Sequence, residues 1–125
     1  MSTPEKNRYT AEELAEFKQL ILQKLEEAEK EYHRLKQSLD ELVVAAEDQY
    51  RTGEYMSNEY SEKVQIERLL QHTVKYIDAL KRALIRIENG TYGICKVTGK
   101  LIPKERLLAV PVAETLVEVK QKRPR

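Results

Sequence analysis

The sequence predicts a mainly α-helical protein, in which a long antiparallel coiled-coil hairpin precedes a small globular module. Two long segments place apolar residues on a 3.5-residue period, which is typical of a coiled-coil seam. After residue 89 the chain changes to short pieces marked by glycine and proline, which indicates a separate small module. We therefore divide the 125-residue chain into residues 1–89, an N-terminal segment with the hairpin, and residues 90–125, the module with a basic tail.

The first helix begins at a capping box. In Thr10-Ala11-Glu12-Glu13 the hydroxyl and the last carboxylate satisfy each other's backbone N–H group. No proline or glycine interrupts the chain between Ala11 and Thr52. The seam consists of Ile21, Leu25, Ala28, Tyr32, Leu35, Leu39, Leu42 and Ala46. This pattern predicts one uninterrupted helix with a seam about 37 Å long.

The second helix repeats the same period. Its seam consists of Ile66, Leu70, Thr73, Ile77, Leu80, Leu84 and Ile87, and spans about 32 Å. It ends at Asn89-Gly90, a pair that favours helix termination. Seams of similar length joined by a short connection favour an antiparallel hairpin. The alternative, a parallel dimer through one helix, leaves the other seam uncovered.

The connection at residues 47–62 predicts the tip of the hairpin. It holds five acidic residues and one basic residue, and Gly53 permits the chain reversal. We single out an acidic and aromatic set as a partner-binding surface: Glu47, Asp48, Tyr50, Glu54, Tyr55 and Glu59. In the alternative interpretation, the tyrosines only pack against the last turns of the hairpin.

Charge is distributed unevenly along the chain. Residues 1–62 contain 15 acidic and 8 basic residues, whereas residues 63–125 contain 6 acidic and 14 basic residues. This asymmetry is typical of a molecule that presents faces of opposite sign to a partner. A single cysteine forms no internal disulfide, and no apolar run approaches the roughly 20 residues of a membrane span. We expect a cytoplasmic monomer that does not bind membranes.

Catalytic chemistry finds little support in the sequence. The two histidines are too few for most acid–base sites, and the lone cysteine has no histidine near it in sequence. No glycine-rich phosphate loop is present. The basic tail is too short to follow a DNA duplex. We therefore expect no enzyme activity, no cofactor and no sequence-specific DNA binding.

One motif resembles a known family over residues 88–120. The segments "GTYGIC" and "TGKLIPKERLLAVP" resemble the C-terminal module of the DksA/TraR family of bacterial RNA polymerase regulators. The family pattern contains Cys-x-x-Cys-Gly, an aliphatic residue, Arg-Leu-x-Ala-x-Pro and a second Cys-x-x-Cys. The residues that match in register are Gly93, Gly99, Ile102, Arg106, Leu107, Ala109 and Pro111. The helical hairpin also matches the architecture of that family.

The resemblance implies four zinc ligands, but this chain carries one of them. The ligand positions hold Cys95, Thr98, Leu116 and Val119. Because a structural zinc site needs a closed set of four ligands, we expect no metal here. We expect Leu116 and Val119, three residues apart on a short helix, to bury apolar surface where the ion would lie. The remaining thiol then serves as a small apolar core residue.

The resemblance implies bacterial RNA polymerase as the partner. The hairpin would enter the secondary channel and modulate initiation, with Lys120 and Arg123 at the channel rim or alarmone interface. The Asp-x-x-Asp-x-Ala motif of the family tip is absent from residues 40–66, so the effect on transcription is open. One alternative is a Gre-like factor, whose paired carboxylates hold a second magnesium ion for transcript cleavage. Another is a coiled-coil scaffold that multimerises.

The alarmone ppGpp is a further partner that the resemblance implies. The family's basic binding positions correspond to Ala79, Val110 and Lys120, of which only the last is charged. This composition argues against a response to ppGpp through that site.

Overall fold

The computed structural model describes the backbone of residues 7–52 and 57–116, and the side chains of residues 7–48 and 61–116. Three helices occupy these ranges: α1 (Ala11–Thr52), α2 (Ser57–Asn89) and α3 (Lys104–Ala109). An isolated antiparallel bridge joins Ile94 and Leu101, and no strand occurs in the described ranges. The predicted mainly helical fold is therefore confirmed. No helix in those ranges combines the length and apolar character needed to cross a membrane.

The start of α1 is set by the predicted capping box. The backbone N–H of Thr10 donates to the Glu13 carboxylate over 3.0 Å, and the N–H of Glu13 donates to the Thr10 hydroxyl over 3.2 Å. The two bonds satisfy N–H groups that have no partner inside the helix.

The end of α2 also follows the sequence. Gly90 adopts a φ of 75°, a left-handed conformation that stops the helix after Asn89. The N–H groups of Thr91 and Tyr92 both donate to the carbonyl of Arg86. The chain therefore turns directly from α2 into the module.

The structure divides into two compact units. The first comprises the described residues of Met1–Lys24 and Ala79–Arg125, and the second is Leu25–Asp78. Each unit contains part of α1 and part of α2, so the module shares the first unit with one end of both helices.

The second unit is a pair of helices packed along the two seams. Ala28, Thr73 and Ile77 are buried, and most other seam positions, such as Leu39 and Leu70, are half-buried. The burial of seam positions confirms the coiled coil.

The first unit contains the more deeply buried core. Its largest fully buried side chains are Tyr92, Ile21, Leu80, Ile102, Leu107 and Cys95. Tyr9, which precedes α1, packs edge-on against Phe17 with ring centroids 5.2 Å apart. Phe17 in turn lies 5.2 Å from the ring of Tyr92. An aromatic cluster thus connects the segment before α1 to the module.

Candidate functional site

The loop at residues 93–102 holds Cys95 in a tight turn. The N–H of Cys95 donates to the Lys100 carbonyl, and the N–H of Gly99 donates back to the Cys95 carbonyl, both over 2.8 Å. Gly99 has a φ of 74°, which favours glycine. The N–H of Ile102 closes the base of the loop on the Gly93 carbonyl over 2.7 Å. This geometry brings residue 98 back beside the thiol.

The thiol of Cys95 is buried and hydrogen-bonded. The backbone N–H of Thr98 donates to its Sγ atom over 3.5 Å. Burial raises the pKa of Cys95, but hydrogen bonds from Thr98, Leu116 and Val97 outweigh that effect and lower the pKa to about 7. The burial that we expected is present, but the environment is more polar than that of a plain apolar core residue.

The residues at the ligand positions do not fit a zinc ion. Beside the thiol stand a threonine hydroxyl at Thr98 and an aliphatic side chain at Leu116, and neither supplies the thiolate or imidazole that zinc prefers. In the part of the chain that the structure describes, no three His, Cys, Asp or Glu residues form a group able to hold a metal. Val119 lies outside the described residues.

Leu116 takes a position different from the one expected. It is half-buried and belongs to no helix, so the expected short helix does not include it. Its backbone N–H approaches the Cys95 thiol, which explains its effect on the thiol pKa. The main chain of residue 116 therefore contacts the Cys95 thiol.

An ion-pair cluster around Glu114 lies next to this loop. One carboxylate oxygen, Oε1, accepts from Arg86 over 2.9 Å and lies 3.6 Å from Arg82. The other, Oε2, lies 2.9 Å from the Lys96 ammonium. The hydrogen bond from Lys96 and the charges of Lys96 and Arg86 together lower the pKa of Glu114, although partial burial opposes them. The carboxylate is therefore held in its ionised form.

Further hydrogen bonds join residues 111–116 to the rest of the module. The N–H of Lys96 donates to the Glu114 carbonyl over 2.9 Å, and the Arg106 guanidinium donates to the Thr115 carbonyl over 3.1 Å. The buried Tyr92 hydroxyl donates to the Pro111 carbonyl over 2.8 Å. The bond from Lys96 joins the loop that carries Cys95 and Thr98 to the segment that leads to position 116. The sequence did not lead us to predict this cluster, although Lys96 and Glu114 each lie within two residues of a zinc-ligand position of the family.

The hairpin tip is described only in part. Glu47 and Asp48 are exposed near the end of α1. Tyr50 and Glu59 fall within helices, but their side chains lie outside the described residues. Glu54, Tyr55, Lys120 and Arg123 lie outside the described residues altogether. The partner-binding surface at the tip therefore stays a prediction.

The positions assigned to the alarmone carry no charge where the structure describes them. Ala79 is half-buried on α2, and Val110 is exposed directly after α3. Neither side chain offers a phosphate a hydrogen bond or a charge.

The module matches a known family. The family of prokaryotic dksA/traR C4-type zinc fingers matches residues 90–116. The Bacillus subtilis proteins YteA and general stress protein 16O are 53% and 47% identical to this chain over 47 and 57 residues. The matches cover 38% and 42% of this chain but only 20% and 35% of those proteins, so the chain spans a minor part of each.

Longer matches include the hairpin. The RNA polymerase-binding transcription factor DksA of Caulobacter vibrioides is 30% identical over 113 residues, which cover 90% of this chain and 77% of that protein. The structure of transcription factor DksA2 from Pseudomonas aeruginosa superimposes with a TM-score of 0.74 at 26% identity, covering 87% of this chain and 81% of that one. Because the resemblance extends over the helices as well as the module, the chain belongs to the DksA/TraR family.

Proposed function

We propose that this protein binds bacterial RNA polymerase and regulates transcription initiation by inserting its helical hairpin into the secondary channel. Two relatives support the proposal by their function. The Caulobacter vibrioides relative is an RNA polymerase-binding transcription factor, and the Pseudomonas aeruginosa protein is a transcription factor.

The observation that carries the proposal is the exposed acidic end of a two-helix rod. In its described part the second unit consists only of segments of α1 and α2, and each helix has a diameter of about 10–12 Å. Glu47 and Asp48 are exposed near its end and are free to contact a cation or basic side chains of a partner. A regulator that acts by occupying a channel needs such a rod and no catalytic group.

The described carboxylates do not favour the Gre-like alternative. Transcript cleavage needs two carboxylates that converge on one magnesium ion. Glu47 and Asp48 are consecutive in α1, so their side chains diverge by about 100° around the helix axis. We therefore expect regulation without cleavage of the transcript.

The test combines binding, competition and cleavage. We expect the purified protein to co-elute with RNA polymerase in size-exclusion chromatography, and a Gre factor, which occupies the secondary channel, to displace it. A stalled elongation complex should show no additional transcript cleavage when the protein is added. Failure to co-elute would reject polymerase binding, co-elution that Gre does not affect would reject the channel, and stimulated cleavage would support the alternative.

A further inference from the structure

The second unit contains a groove between its two helices. The groove encloses about 380 Å³ and is lined by Tyr32, Lys36, Leu39, Asp40, Leu70, Gln71, Val74 and Lys75. The first four residues lie on α1 and the last four on α2. Each helix therefore contributes one wall of the groove.

The floor of the groove is apolar and partly open to solvent. Leu39 and Leu70 belong to the two seams and are half-buried, and Val74 keeps 40% of its surface exposed. Val74 lies one turn from Leu70 on the same face of α2. A single aliphatic side chain with this exposure is common on protein surfaces. Beside Leu39 and Leu70, however, Val74 forms part of a continuous apolar strip.

The walls carry charges that no ion pair neutralises within the described residues. Lys36 on α1 and Lys75 on α2 are exposed, and neither makes an ion pair within the described residues. Asp40 is one turn from Lys36 and is likewise outside any ion pair there. The groove therefore has an apolar floor, a lysine on each wall and one carboxylate, with a net positive charge.

We propose that this groove binds an amphipathic α-helix of a partner protein, whose apolar stripe is flanked by acidic residues. A groove between two packed helices accepts the ridge of side chains of a third helix. A helix seated there would place apolar residues on Leu39, Leu70 and Val74. Acidic residues on both sides of its stripe would then meet Lys36 and Lys75, as charges flanking a coiled-coil seam pair across an interface.

The charges select this occupant over a second copy of the chain. Two copies related by a two-fold axis would bring four lysines of the groove together with only two aspartates. Like charges facing each other across an interface cost affinity. An acidic helix satisfies both lysines at once. This inference does not require that the partner be RNA polymerase, and all residues that line the groove belong to the second unit.

Two designed peptides test the inference. Both are helical, about three heptads long, and carry the same leucine stripe, and they differ only in whether glutamate or lysine flanks it. We expect the glutamate peptide to bind the full-length protein at least about tenfold more tightly in isothermal titration calorimetry, with the difference shrinking at high salt. Amide NMR shifts should move at residues that line the groove.

Variants locate the site and test the charge. Val74→Glu should reduce binding of the glutamate peptide by about tenfold or more, whereas Ile85→Glu, at a 59% exposed position of the first unit, should leave it unchanged. Lys36→Glu combined with Lys75→Glu should reverse the preference between the two peptides. All variants replace exposed side chains, so circular dichroism should show unchanged folding.

Three results would overturn the inference. Equal affinity for both peptides would show that the lysines do not select an acidic helix. Unchanged peptide affinity in the Val74→Glu variant would show that the peptide binds outside the groove. Sedimentation showing a dimer that Val74→Glu dissociates would mean that a second copy fills the groove. Polymerase binding has its own readout, co-elution, so failure of that proposal is distinguishable from failure of this one.

Discussion

Glu114 is a residue that joins parts of a module in which only one of the four zinc-ligand positions is a cysteine. Its carboxylate contacts Arg86 and Lys96 at 2.9 Å, and its carbonyl accepts the N–H of Lys96. Charge-assisted hydrogen bonds of this length are about twice as strong as neutral ones. Because its side chain is only 23% exposed, solvent screens these contacts less than it screens surface ion pairs. The residue therefore links both segments that a metal would link.

Glu114→Gln should destabilise the protein by about 2 kcal/mol, because it leaves the partly buried Arg86 guanidinium without its charged partner. Glu88→Gln is the matched control. Glu88 pairs with Lys18 at 3.6 Å but is 71% exposed, so its loss should cost less than about 0.5 kcal/mol. Urea unfolding followed by circular dichroism measures both. Equal free energies of unfolding for the two variants would show that the ion pairs of Glu114 contribute no more to stability than the exposed pair of Glu88.

The same contact predicts a pH dependence. Because the pKa of Glu114 is lowered in the folded protein, its contribution is present above the ordinary value of 4.5 and is lost as pH falls through the lowered value. The stability difference between wild type and Glu114→Gln should therefore be constant near neutral pH and shrink below pH 4.5. A difference that persists unchanged at lower pH would contradict the assigned ion pairs.

Gly93 is constrained by the aromatic cluster. It has a φ of 83°, and a Cβ atom placed there would lie 2.5 Å from the ring of Tyr9. Gly93→Ala should therefore cost several kcal/mol, of which backbone strain is about 1–2 kcal/mol. In the background of Tyr9→Ala, which alone should cost about 3–5 kcal/mol, the added cost of Gly93→Ala should fall to the strain alone. Additive effects in a double-mutant cycle would mean that the two residues do not clash.

Among the elements of the module, the turn around Cys95 carries the one cysteine that remains at the four zinc-ligand positions of the family. Burial raises the pKa of the Cys95 thiol, but hydrogen bonds from the Thr98 side chain and from the backbone of Thr98, Leu116 and Val97 outweigh it and lower the pKa to about 7. One sulfur ligand beside a threonine and a leucine does not make a closed zinc site. Hydrogen bonds and apolar packing must then hold the loop to residues 111–116.

We predict that the module folds without metal. Elemental analysis of the native protein should find far less than one zinc ion per chain, and EDTA should leave the melting temperature unchanged. A stoichiometric zinc ion whose removal by EDTA unfolds the protein would contradict the prediction.

Leu116→Asp should destabilise the protein more than Thr98→Ala. The aspartate would place a charge in a half-buried position beside the Cys95 thiol and near the ionised Glu114. Thr98→Ala removes a hydroxyl that accepts from Lys100 over 3.3 Å, and should cost about 1 kcal/mol. Thermal melts in which the two variants are equally stable would show that residue 116 faces solvent.

Local signals in the sequence predicted the helices well, since both the capping box and the Asn89-Gly90 stop act within a few residues. The seams predicted the coiled coil for the same reason. The contacts of Tyr9 and Glu114 escaped prediction, because the Tyr9 hydroxyl donates to the carbonyl of Ile102, 93 residues away, and Glu114 pairs with Arg86, 28 residues away. Such pairs depend on the fold and leave no periodic pattern. An aromatic residue directly before the capping box was the one local signal for Tyr9.

At the scale of the whole molecule, the chain combines a module built around residues 90–116 with a long pair of helices. Both parts belong to the family match, because the match to the Caulobacter vibrioides protein covers 90% of the chain. We attribute the stability of the fold to the module and the seams, and we propose that the acidic tip carries the effect on transcription. Substitutions at the tip should therefore change the effect on transcription and leave the stability of the fold nearly unchanged.

The most direct test replaces four tip acids, Glu47, Asp48, Glu54 and Glu59, by alanine together. Glu47 and Asp48 are exposed and make no ion pair within the described residues, and exposed substitutions usually change stability by less than about 0.5 kcal/mol. We expect the circular dichroism melt to stay nearly unchanged and binding to polymerase to weaken only modestly. In a multiple-round transcription assay, the same variant should lose or invert the effect of the wild-type protein. A variant that regulates transcription like wild type would contradict the account and favour a scaffold role for the hairpin.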